Sequence, residues 1–126
     1  MPTDSPILLA IIEMGGYPNF APLYGRLGYR VETETSGRRA MSWLKRNAAT
    51  VVVAEFNVDP AFRDRTSNLE SILATLQRRP ETRVVVFYEP ETATELEKLR
   101  RRFPGFEALP FPVDEARLEA LVGIAR

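Results

Sequence analysis

The chain has 126 residues, enough for one domain with a real core and too few for two. Its 17 Lys+Arg balance 17 Asp+Glu, so overall charge does not favour non-specific attraction to nucleic acid. With no cysteine and no histidine, disulfides, thiolate chemistry, serine or cysteine triads and the usual zinc sites are excluded.

Met1 to Ser5 reads as a lead-in with neither the basic start nor the small-residue cleavage site of a secretory leader. No apolar run approaches the roughly 20 residues of a spanning helix, so the expectation is a cytoplasmic protein that crosses no membrane. Ile7 to Ile12, inside the run Pro6 to Glu13, forms the first strand, and Met14-Gly15-Gly16-Tyr17-Pro18 breaks it. Phe20, Leu23, Tyr24 and Leu27 then recur at helical spacing, with Gly28 at the expected C-terminal cap. Tyr29 to Thr33 alternates apolar and polar side chains, as a strand near a sheet edge does. Ser36 caps a second helix whose inner face is Ala40, Met41, Leu44 and Ala48, with Trp43 to one side.

Thr50 to Asn57 (TVVVAEFN) is the central stretch, an apolar run without alternation that predicts a strand covered on both faces and delivers Glu55 to the sheet rim. A polar connection from Val58 to Thr66 follows. Ser67 or Asn68 opens a third helix with Leu69, Ile72, Leu73 and Leu76 inward, stopped before Pro80. Val84 to Tyr88 is the fourth strand, Pro90 to Arg102 the fourth helix, and Phe106 to Phe111 a short fifth strand. The last helix, from Asp114, buries Leu118, Leu121, Val122 and Ala125.

Strict alternation of strand and helix, without an internal linker, predicts one α/β domain over residues 1–126 with right-handed crossovers and a parallel sheet. The flavodoxin-like order 2-1-3-4-5 puts the three most apolar strands in the middle. Ligand chemistry in that doubly wound arrangement belongs at the carboxyl ends of strands 1 and 3, the topological switch point.

ILLAIIE in the first strand, GYRVETETSGRRAMSWLKRNAATVVVAE through the third, RVVVFYE in the fourth and ALPFPVDEARLEAL at the end together resemble the receiver domains of two-component response regulators. The resemblance covers nearly the whole chain and implies the CheY-like, three-layer version of the fold. Receivers transfer phosphate to a strand-3 aspartate beside two magnesium-holding acids, a strand-4 Ser or Thr and a strand-5 Lys. Matched onto this chain, the acid pair falls on Ile11 and Ile12 with Glu13 one step on, and the acceptor on Glu55. The Ser/Thr position is Tyr88 and the Lys position Phe111, or Leu109 after a two-residue shift. The match of Phe111-Pro112 to the family's Lys-Pro pair implies a cis peptide bond.

Every catalytic position thus departs from the pattern. A hard divalent cation needs several oxygen ligands, and a phosphoryl group in transfer needs positive charge beside it. Ile and Phe in place of Asp and Lys remove opposite charges together, leaving no orphan ion. Two readings of Glu55 stay open: a mimic of a permanently phosphorylated acceptor, or a solvated carboxylate at a strand end. Tyr88 is expected to pack on the fourth helix, and Phe111 to fill the vacated pocket near Glu55 or Tyr88. Met14-Gly15-Gly16 reads as a turn before it reads as a phosphate cradle. Asp59, Arg63, Asp64 and Arg65 read as a solvated loop, and Arg100 to Arg102 as the dipole-complementing end of a surface helix.

The expected function is a phosphorylation-independent, stand-alone pseudo-receiver, not an enzyme, without cofactor or metal. It presents Tyr88, Glu95, Lys98, Arg102 and Glu115, on the helix 4, strand 5, helix 5 face, to partner proteins. Histidine kinases, other signalling proteins and a second copy are the candidates; nucleic acid and membranes are not. The alternatives are an atypical receiver that still binds phosphate or a small anion through Glu13, Glu55 and Asn57, and a flavodoxin-fold enzyme of unrelated chemistry.

Overall fold

A computed structural model describes residues 6–13, 16–56 and 68–123. Among these residues five strands, β1 (Ile7–Ile11), β2 (Arg30–Glu34), β3 (Val51–Phe56), β4 (Arg83–Tyr88) and β5 (Phe106–Pro110), alternate with helices. The helices are α1 (Ala21–Arg26), α2 (Gly37–Arg46), α3 (Asn68–Leu76), α4 (Ala93–Arg102) and α5 (Glu115–Val122). All strand pairs are parallel and the sheet order is β2-β1-β3-β4-β5, as the alternation predicts.

The sheet separates two apolar clusters. On one face Leu8, Val51, Val53, Val85 and Phe87 meet Leu23 and Tyr24 of α1 and Leu118 and Val122 of α5. On the other, Leu9, Ile11, Val52, Ala54 and Val86 meet α2, α3 and α4 through Leu44, Ile72 and Leu96. Parity along β3 divides its side chains between the two, which is why its sequence shows no alternation.

Local chemistry sets the ends of the helices. Asn19 Oδ1 accepts from the Ala21 amide (3.0 Å), and Gly28, at φ 98°, turns the chain out of α1 into β2. Ser36 Oγ accepts from Arg39 N (3.1 Å) at the start of α2, and Asp114 Oδ1 accepts from Ala116 N (2.9 Å) and Arg117 N (3.4 Å) at the start of α5. Arg79 donates to the Leu44 and Asn47 carbonyls at 2.6 and 2.8 Å, satisfying the end of α2 from beyond α3. The Tyr29 hydroxyl donates to the Val122 carbonyl and Arg83 to that of Leu121, pinning the end of α5 to the amino-terminal rim of the sheet.

Several expectations need correction. Helix α2 closes at Arg46 and Asn47 is extended, so Ala48 is exposed and Ala49 takes the buried place. The fourth helix begins as a 3₁₀ turn, Pro90–Thr92, before α4 proper. Leu121 is only half-buried, and β5 stops at Pro110, one residue before Phe111. The Val58 to Thr66 connection, with its four charged residues, and Met14, Gly15 and Ala125 lie outside the described residues. Among the described residues no helix is long and apolar enough to cross a membrane.

Leu118 is fully buried and anchors α5. Leu118→Ala is expected to lower unfolding stability by about 2–5 kcal/mol, and Ser36→Ala by about 0.5–2 kcal/mol. Urea denaturation checks both, read as a lower midpoint at unchanged slope.

Candidate functional site

Strand β3 runs through Glu55 to Phe56, so Glu55 lies within the ladder, paired with Phe87 of β4. Residues in register on parallel neighbours share a face, and this pair lies on the α1–α5 side. Glu55 is 3% exposed, which overturns its reading as a solvated carboxylate at a strand end.

A cavity of about 250 Å³ opens at this point between the sheet and α1. Ala10, Val53 and Phe87 form its floor, Phe20 and Tyr24 its helical wall, and Ile12 part of its mouth. Four aromatic rings line it in a chain, Tyr17 meeting Phe87 at 5.3 Å, Phe87 meeting Phe20 at 5.8 Å and Phe20 meeting Tyr24 at 6.5 Å, and Phe111, outside the lining, meets Tyr17 edge-on at 5.7 Å.

The aromatic residue that lines the cavity together with Glu55 at this end is therefore Tyr17, not Phe111. Phe111 N donates to the Tyr88 carbonyl at 2.8 Å, continuing the β4–β5 ladder and leaving its ring 38% exposed at the rim. Tyr17 stands in a Gly/Pro-flanked turn without periodicity, so only its being aromatic beside a switch point could have marked it.

The other expected site residues scatter. Ile11 is 1% exposed in the α2–α3–α4 core, while Ile12, next in sequence, is 38% exposed at the cavity mouth. Glu13 turns away toward α2, where its Oε2 accepts from Gly37 N at 3.3 Å, a position that the helix dipole favours. Tyr88 pairs with Phe56 and packs, half-buried, against the core that holds Leu96 and Leu99 of α4. It does not join Glu55. The Phe111–Pro112 bond is cis, as the match implies, and Asn57 lies outside the described residues.

The magnesium ion that the resemblance implies does not fit this donor set. It needs about six oxygen ligands. Among the described residues no group of three or more acidic side chains is placed to hold a metal, and the cavity lining has one carboxylate, Glu55.

On the opposite flank, Glu95 and Lys98 of α4 are exposed. Arg102 pairs with Glu70 of α3 at 2.6 Å and Glu115 with Arg26 of α1 at 3.6 Å, yet both remain largely in solvent. Arg100 sits 4.6 Å over the Phe106 ring and donates to the Phe106 carbonyl at 2.8 Å. The basic end of α4 thus has structural work of its own.

The Tyr17 hydroxyl is buried with no hydrogen-bond partner among the described residues. Its pKa is pushed up to about 12, first by burial and then by the facing carboxylates of Glu89 and Glu55. Burial moves Tyr24 and Tyr29 the same way, Arg83 opposing at Tyr29. A folded value above the unfolded value of about 10 leaves these contributions whole below about pH 10 and lost as pH rises through the folded value. Stability is expected to fall from about pH 10 upward, and Tyr17→Phe to make the fall shallower without loss at neutral pH. Urea titrations across that range check it.

No family model matches the chain, and no curated protein matches it in sequence. Solved structures do. The chain is similar to the signal receiver domain of an HD domain-containing protein from Pseudomonas fluorescens Pf-5, with TM-score 0.67, 15% identity, and 95% of this chain and 85% of that one covered. It is similar to the chemotaxis protein CheY4 of Vibrio cholerae, with TM-score 0.63, 15% identity, and 94% and 100% covered. A response regulator receiver protein from Pseudomonas putida gives TM-score 0.62, 18% identity, and 95% and 98% covered. Identities this low establish the fold and leave the site to be read from this chain's own residues. The chain has the CheY-like fold that these receiver domains share, a five-stranded parallel sheet of order β2-β1-β3-β4-β5 between helices.

Proposed function

We propose that the chain is a phosphorylation-independent signalling module, a pseudo-receiver that acts by binding partner proteins through the α4–β5–α5 face. The observation that carries this reading is the state of the two acid-pair positions: Ile11 is sealed in the core and Ile12 lines an apolar mouth. Neither environment suits a hard cation or the charge that develops in phosphoryl transfer. Phe111 and Leu109, the two matches to the family's lysine, are uncharged, and Tyr88 lies on the far side of the sheet from Glu55.

Receiver domains interact with other signalling proteins, histidine kinases among them, and the face made by Tyr88, Glu95, Lys98, Arg102 and Glu115 mixes both signs of charge. Such a surface suits a partner of mixed charge or a second copy. Phosphate or another anion at the switch point gains no support, since it would meet Glu55 in a cavity whose described lining has no Lys or Arg.

Amide NMR during titration with magnesium and then beryllofluoride tests the central claim. No saturable shift is expected at Glu13, Glu55 or Tyr88; localised saturable shifts there would overturn it.

A further inference from the structure

We propose that the cavity between the sheet and α1 is a binding site for a small neutral molecule, a compact aromatic or alicyclic body bearing one hydrogen-bond-accepting oxygen, such as a ketone. Its volume, about 250 Å³, exceeds the roughly 150 Å³ of an engineered apolar cavity that takes up benzene in another protein. One ring with a short arm therefore fits. The lining is mostly apolar, with Ala10, Val31 and Val53 beside the rings of Phe20, Tyr24 and Phe87, so a hydrocarbon body gains by leaving water for it.

One polar group of the lining selects the oxygen. The Tyr29 hydroxyl, elsewhere on this side of the sheet, donates to the Val122 carbonyl, whereas the Tyr17 hydroxyl is buried with no hydrogen-bond partner among the described residues. Tyr17 lines the cavity, and a buried hydroxyl left unpaired is costly, a cost that an acceptor carried in on a ligand removes. Burial and the facing carboxylates push its pKa up to about 12, so at neutral pH the hydroxyl keeps its proton and can donate.

Charge has no part in this recognition. Glu55 already has an interaction within the protein, and a ligand ion of either sign would leave water for mostly apolar walls. A pure hydrocarbon fits those walls and leaves the Tyr17 hydroxyl as it is. A neutral body with one acceptor oxygen answers the walls and the hydroxyl together. The described lining comes from α1, strands β1 to β4 and the connections that follow them, with nothing from α4, β5 or α5, so this site stands or falls separately from the protein-binding reading.

The test uses amide NMR of the isotope-labelled native chain at neutral pH and three probes of nearly the same shape: acetophenone, α-methylstyrene, which has a methylene in place of the carbonyl oxygen, and benzoate. Acetophenone is expected to give saturable shifts centred on Ala10, Val53 and Phe87, and benzoate to bind about tenfold more weakly or not at all. Tyr17→Phe keeps the ring and is expected to fold at least as well as the native chain. It should weaken acetophenone about fivefold and leave α-methylstyrene within about twofold of its native affinity, a difference that isolates the hydroxyl from the shape of the cavity. Absence of saturable acetophenone shifts, shifts centred away from the cavity, benzoate binding as tightly as acetophenone, or an equal effect of Tyr17→Phe on acetophenone and α-methylstyrene would overturn the proposal.

Discussion

Taking a carboxylate out of water is costly unless the site compensates it, and Glu55 imposes that requirement on the middle of the sheet. Its place follows from the parity of β3. Val51 and Val53 face α1 and α5, Val52, Ala54 and Phe56 face the other helices, and Glu55 falls on the first side. A slip of one residue would drive the charge into the α2–α3–α4 core and bring Phe56 out of it. The register with β4, which sets Phe87 beside Glu55, is therefore coupled to where that single charge can be held.

Around this carboxylate the receiver fold has a different chemistry from the one its resemblance implies. A charged, metal-binding pocket works by concentrating oxygen ligands and opposing charges at short range. Here Ile11 joins the core, Ile12 and Tyr17 line the mouth, and Glu13 serves α2. The switch point persists as a place, and its described lining is mostly apolar.

Most of the architecture could be read from the chain. Apolar runs of strand length, helical stripes such as Leu69, Ile72, Leu73 and Leu76, and the capping residue Ser36 all lie where the structure puts them. Face assignments at the ends of the central strands were harder to read. A run like RVVVFYE has no polar alternation, so nothing local says whether Phe87 or Tyr88 turns toward Glu55; pairing register decides it. Glu55 read as a rim residue because charge usually marks the end of a strand, yet the ladder continues through Phe56. Phe111 was expected inside because it stands where a family lysine would, and the early end of β5 left it outside. Tyr17, which took the inner place, belongs to a turn whose geometry depends on long-range packing against Phe87.

The division of the core by the sheet also separates the natural chromophores. Trp43, the sole tryptophan, packs with Tyr88 against the α2–α3–α4 cluster, whereas Tyr17, Tyr24 and Tyr29 belong to the α1–α5 side. Indole emission therefore monitors one half of the molecule and phenol absorbance mainly the other, so two optical signals on the unmodified chain can show whether both halves loosen together or in turn.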